Sequence, residues 1–166
     1  MPSVSGLSSD QRIRCRDRVV QAAKLALAHK EQVHYSEDLT KRWSGIRYHR
    51  NAALGQFPHN SDCSSFATWC LWNGLLLRFG LGDIVNGLDW GAGYTGTMLQ
   101  HGRVVPHASD VLRGDCVFYG TPVFHVTIVV HHSNGVPMVI SQGEETGPWY
   151  IPYNYGDPIN QIRRYI

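Results

Sequence analysis

The chain of 166 residues predicts an α+β domain in which N-terminal helices pack on a central antiparallel β-sheet. Three observations carry that expectation. Apolar residues recur at helical period in two stretches of the first half. From about residue 111 the chain changes to short, β-branched, alternating segments. Between two of these stands Asn134-Gly135, the dipeptide that best signals a tight hairpin.

The elements follow in order. Ser8 and Gln11 have capping-box spacing, which predicts a helix start there and a helix running to about Glu31. Ile13, Val20, Ala23 and Leu27 form its apolar stripe, with Arg12, Arg16 and Lys30 off it. Residues 32–62 read as a long irregular segment rich in aromatic residues and glycine, and such segments are often functional. A second helix is predicted from Asp62 or Cys63 to Phe79, apolar over most of its circumference and therefore central. A glycine-rich loop follows, with a short helix over Thr97–Gln100. Strands are predicted up to Tyr119, over His125–His132, over Met138–Gln142, over Tyr150–Tyr153 and over Gln161–Ile166.

Composition narrows the function classes. Hydrophobic content of 43% and charged content of 17% exclude disorder. A net charge of +2 gives no reason to expect nucleic acid, although residues 1–50 carry ten Lys/Arg against five Asp/Glu. No apolar run spans a bilayer, and Met1–Gly6 has neither the basic start nor the apolar region of a signal peptide. Four scattered cysteines, Cys15, Cys63, Cys70 and Cys116, form no Cys-x-x-Cys pair and fit a reducing compartment. Three read as core residues. Cys63 stands apart because it falls at a predicted helix N-terminus.

That placement is chemically meaningful. The thiolate is the working nucleophile, and a helix N-terminus lowers a thiol pKa through its dipole and unpaired N–H groups. His125, at the head of a strand, supplies a base if the two meet. The N–H groups at Cys63 and Ser64 offer an oxyanion site. Asp62 either caps the helix or binds an amine of the substrate, and the cap is favoured. A two-residue hairpin loop pairs residue 133 with 136, and hence His125 with Glu144. Gln142 is then the diagonal neighbour on the same face, unless a bulge breaks the parity. Gln142 and Glu144 are therefore the candidates to orient His125. The Cys and His spacing is not diagnostic of zinc, and no metal or cofactor is expected.

Three segments together resemble the NlpC/P60 cysteine peptidases. Asp62-Cys63-Ser64-Ser65-Phe66 is similar to their Asp-Cys-Ser-Gly-Phe signature. Arg113–Tyr119 resembles their Gly-Asp-Leu-Val-Phe-Phe strand, and His125–Val129 their His-Val-Gly-Ile-Tyr strand. The resemblance implies a papain-like NlpC/P60 fold, with hydrolysis of an amide bond in peptidoglycan stem peptides. It implies Cys63 as nucleophile, His125 as base and Gln142 in the place of a usual third histidine. Tyr35 matches a tyrosine near the oxyanion site. Ser141–Pro148 resembles a segment of actinobacterial and phage members, and mycobacteriophage-type endolysins are the nearest likeness.

On that resemblance, residues 1–166 are expected to be one peptidase domain, monomeric and excised from a longer lysin. It would be made in the host cytoplasm and reach the wall by holin-mediated release, with peptidoglycan as partner, no nucleic acid and no stable membrane insertion. Three alternatives use the same residues: an inactive wall-binding module of the same fold, a CHAP-type N-acetylmuramoyl-L-alanine amidase, and an acyl- or transglutaminase-like transferase. Trp43, Tyr48, Trp90 and Tyr94 are candidates either to line a substrate groove or to pack against the core.

Overall fold

Ser8 begins the first helix as its sequence spacing predicts. Its hydroxyl accepts from Gln11 N–H at 3.2 Å, and its own N–H donates to the Gln11 side chain at 2.8 Å. In the computed structural model, which describes residues 3–143 and 147–166, this helix, α1, spans Ser9–Ala28 and is followed by a 3-10 turn at Lys30–Gln32. Short elements then fill the irregular segment: β1 at His34–Tyr35, α2 at Ser44–Arg47 and β2 at Asn60–Ser61. The central helix α3 spans Cys63–Phe79. It ends because Gly80 takes a left-handed φ of 67°, which only glycine adopts without cost, and the carbonyls of Leu75 and Leu76 are satisfied there. A four-residue helix, α4, occupies Thr95–Met98.

The second half is a six-stranded sheet in the order β3-β8-β4-β5-β6-β7, with every neighbouring pair antiparallel. The strands are β3 (Arg103–Val104), β4 (Cys116–Tyr119), β5 (His125–Ser133), β6 (Val136–Ser141), β7 (Trp149–Pro152) and β8 (Ile159–Arg164). Alternation divides their side chains as a pleated sheet requires. Cys116, Phe118, Val126, Ile128, Val130 and Ile140 join the helical core formed with α1 and α3. Val117, Tyr119, Val129, Val139 and Ile162 form a second apolar cluster with Val105 and Val111.

The apolar stripe of α1 is rotated from the one its periodicity suggests. Cys15, Val19, Ala22, Ala23 and Ala26 are fully buried, whereas Ile13 is 47% exposed. Arg16, expected on the polar side, is buried. Its guanidinium donates to the Ile166 carbonyl at 2.6 Å and lies 3.9 Å from the Asp115 carboxylate. Asp115 is itself sealed from solvent and held by Arg164 through two bonds of 2.8 and 2.7 Å. A buried carboxylate needs such partners, so Asp115 dictates where Arg16 goes. Small residues on α1 then let α3 approach closely.

Gly74 sits at that closest approach. A Cβ there would lie 2.6 Å from the Cys15 carbonyl oxygen and 2.7 Å from Val19 Cγ2. Gly74→Ala is expected to destabilise the fold by about 1–3 kcal/mol, because backbone cannot yield as a flexible side chain can. Urea unfolding of the variant checks it, and unchanged stability would mean the helices separate without cost.

Candidate active site

The N-terminus of α3 is built around Asp62. Its carboxylate accepts from Ser65 N–H at 2.8 Å while the Ser65 hydroxyl accepts from Asp62 N–H at 2.9 Å, a reciprocal cap. The same carboxylate takes two bonds from Arg42, at 2.6 and 3.1 Å. Arg42 also donates to Ser64 Oγ at 2.7 Å and to the Gly93 carbonyl at 2.9 Å, and its guanidinium stacks over Trp43. Asp62 is thus a cap and half of a buried ion pair, with its oxygens already occupied. Sequence reasoning missed Arg42, since nothing in a loop twenty residues upstream marks it as that partner.

Cys63 is the first residue of α3 and is 8% exposed. The backbone N–H groups of Ser64 and Val126 lie close enough to its sulfur to lower its pKa, which puts the thiol beside β5, near the strand position that follows His125. Burial pushes the thiol up to about 12 and the neighbouring Asp62 carboxylate adds to this, against the smaller opposing pull of the two N–H groups and Arg42. The expected depression by the helix terminus is therefore outweighed by desolvation. Tyr35 sits beside Cys63 because β1 pairs in parallel with β2, Tyr35 opposite Ser61. Its hydroxyl donates to Glu37 at 2.8 Å, and burial, Glu37 and the neighbouring Cys63 all raise its pKa.

His125 opens β5 opposite Tyr119, whose ring lies 5.7 Å away. Burial lowers its pKa to about 4, with Asp157 partly opposing. Its Nε2 is 2.7 Å from Ser141 Oγ. This differs from the predicted hairpin. The turn does pair Ser133 with Val136, but the register slips between Val129 and His131, so Val129 faces Val139 and Ile128 faces Ile140. One bulged residue inverts the parity of the rest of the hairpin. Ser141, not Gln142, therefore shares the His125 face. Gln142 is fully buried, and its Nε2 donates to the Ser61 carbonyl at 3.4 Å, two residues before Cys63. Glu144 lies outside the described residues. Among the described residues, no hydrogen bond joins Cys63 to His125.

His125 and Ser141 line a cleft of about 440 Å³. Tyr35, Phe124, Trp149 and Tyr155 supply its aromatic walls, and Glu37 and Asp157 its charge. The aromatic residues singled out from sequence are elsewhere. Trp43 and Trp90 are buried, while Tyr48 and Tyr94 are exposed away from the cleft lining. Among the described residues, no cluster of His, Cys, Asp and Glu could hold a metal ion. Nor, among those residues, is any helix long and apolar enough to cross a membrane.

A thiol at a helix N-terminus beside a histidine at the head of an antiparallel strand defines a papain-like arrangement. The chain has an NlpC/P60-like fold. It is similar to the solved NlpC1 of Trichomonas vaginalis, with 21% identity over 90% of this chain and a TM-score of 0.56. It is also similar to NlpC2 of the same organism, with 23% identity over 89% of the chain and a TM-score of 0.54. The chain spans 44% and 47% of those two proteins. No family model matches the sequence, and no curated relative does.

Two outcomes follow from these electrostatics. Arg42→Met leaves the Asp62 carboxylate buried without its cation, and a loss of about 3–5 kcal/mol is expected in urea unfolding. A variant as stable as wild type would show that Asp62 is solvated. His125 refuses a proton in the fold that the unfolded chain accepts between about pH 6.5 and 4. Stability therefore falls as pH is lowered through that window, by at most about 3 kcal/mol from this group. Unfolding at pH 7 and pH 4.5 should show a weaker dependence in His125→Gln than in wild type.

Proposed function

We propose that this protein is a cysteine hydrolase that cleaves an amide bond in the peptide stems of peptidoglycan. The observation that carries this reading is the placement of Cys63 at the N-terminus of α3 and one residue along β5 from His125. In the reaction, the Cys63 sulfur attacks the amide carbonyl carbon as its proton passes to His125. The helix N-terminus stabilises the oxyanion, with Tyr35 alongside. The imidazolium then gives the proton to the leaving amine, and water releases the acyl group from sulfur. The cleft suits a peptide that carries ammonium groups, since among the described residues two carboxylates and no Lys or Arg line it. The lytic, phage-type setting is carried by the resemblance of the sequence motifs.

A second reading, a wall-binding module of the same fold without turnover, is favoured by one observation. The resting thiol is buried, its pKa is raised, and it makes no hydrogen bond to His125.

The decisive experiment digests purified peptidoglycan with wild type and Cys63→Ala and reads the products by mass spectrometry. Wild type is expected to release fragments with new amine termini, and Cys63→Ala to release none while unfolding at the same temperature. Fragment masses distinguish an endopeptidase from an amidase that cuts between glycan and peptide. No release by wild type on walls of several chemotypes would leave the binding module standing.

A further inference from the structure

We propose that Ser141 is the positioning residue for His125, accepting a hydrogen bond from Nε2–H and leaving Nδ1 as the nitrogen that receives the Cys63 proton. The inference rests on the cysteine hydrolase reading for its purpose, but its geometry stands on the hairpin. The bulge between Val129 and His131 brings Ser141 onto the face of His125, and the Nε2 to Oγ distance of 2.7 Å is that of a well-formed bond. Both side chains are 7% exposed, so water does not compete freely for the bond. The bond to Ser141 is made by Nε2, and no hydrogen bond of Nδ1 is found among the described residues.

The ring is held from two further sides. Tyr119 lies against it, anchored through its hydroxyl to Thr127 at 3.1 Å and to the Tyr153 carbonyl at 2.7 Å. Gly143 lies over it, where a Cβ would come 2.8 Å from His125 Cε1. Gln142 points to the other face of β6. Its Oε1 is buried without a hydrogen-bond partner, and it touches the Cys63 turn through Ser61.

A hydroxyl differs from a carboxylate or a second histidine in this place. It selects a tautomer without lending charge, so the imidazole stays neutral at rest. During attack, the proton leaves Sγ for Nδ1 as the S–C bond forms. Nε2–H stays on Ser141 throughout, and the same proton later leaves Nδ1 for the amine. Among the described residues, the titratable groups around this ring are Tyr119 on β4, Tyr155 and Asp157 before β8, Tyr35 and Glu37 across the cleft, and Cys63.

The test reads the tautomer directly. Long-range ¹H–¹⁵N correlation spectra of the histidine side chains are recorded at pH 7, with His125 assigned by its loss in His125→Gln. Wild type is expected to show protonated Nε2 and bare Nδ1. Ser141→Ala is expected to mix the tautomers and to lower kcat about tenfold with KM unchanged, one hydrogen bond's worth of orientation. Ser141→Thr should restore both signatures. In Ser141→Asp, a carboxylate on Nε2–H should move the acid limb of kcat/KM to higher pH. The proposal is overturned if wild type carries its proton on Nδ1. It is equally overturned if Ser141→Ala keeps the wild-type tautomer and kcat, or if Gln142→Met, and not Ser141→Ala, abolishes the Nε2–H signal. The spectra need no substrate, so a wild type inactive on peptidoglycan would end the hydrolase reading while this assignment is still decided.

Discussion

The site depends on one buried carboxylate. Asp62 caps α3, and by doing so it sets where the helix begins and puts Cys63 at the first helical position. A carboxylate on a side chain only 12% exposed needs a cation, and Arg42 supplies it with two bonds. Through Arg42, the cap also holds the loop before α2, the Ser64 side chain and the Gly93 carbonyl. Loops that would otherwise be independent are drawn to the end of the central helix. The pairing has a chemical consequence as well. Arg42 occupies the Asp62 carboxylate, and the described carboxylates that line the cleft are instead those of Glu37 and Asp157.

The second constraint is a single bulged residue. β5 and β6 form a hairpin whose turn is dictated by Asn134 and Gly135, both with left-handed φ. Continued without interruption, that register would place Ser141 on the helical side and Gln142 beside the histidine. The slip near Val130 exchanges them. Ser141 goes to the imidazole, and Gln142 goes under the Cys63 turn. A bulge thereby re-aims the two side chains that flank Cys63 and His125.

Much of this was legible in the chain. Both capping boxes are local signals, and α1 and α3 begin where Ser8 and Asp62 put them. Val126, Ile128 and Val130 alternate along β5, and all three face the helical core. The illegible features share a cause, because each depends on a distant partner. Arg16 is buried because Asp115 needs it, and Ile13 is exposed because the helix rotates to allow it. Arg42 has no local signature at all. The bulge lies within a run of β-branched residues whose alternation looks unbroken. Trp43 and Trp90 were ambiguous between groove and core because aromatic composition alone does not say which way a loop faces.

The resting electrostatics give these positions their importance. Burial raises the thiol and lowers the imidazole, so at neutral pH both are uncharged. On the hydrolase reading proposed above, a neutral pair requires the proton to move as the sulfur attacks. Catalysis of that kind depends on which ring nitrogen is bare and where it points, more than on any pre-existing ion. A rigid neutral acceptor such as the Ser141 hydroxyl then fits the site better than a carboxylate, which would hold the imidazole charged and unable to accept. The Gly143 backbone over the ring and Tyr119 beside it serve the same end, because an imidazole free to rotate would lose the one orientation that this chemistry needs.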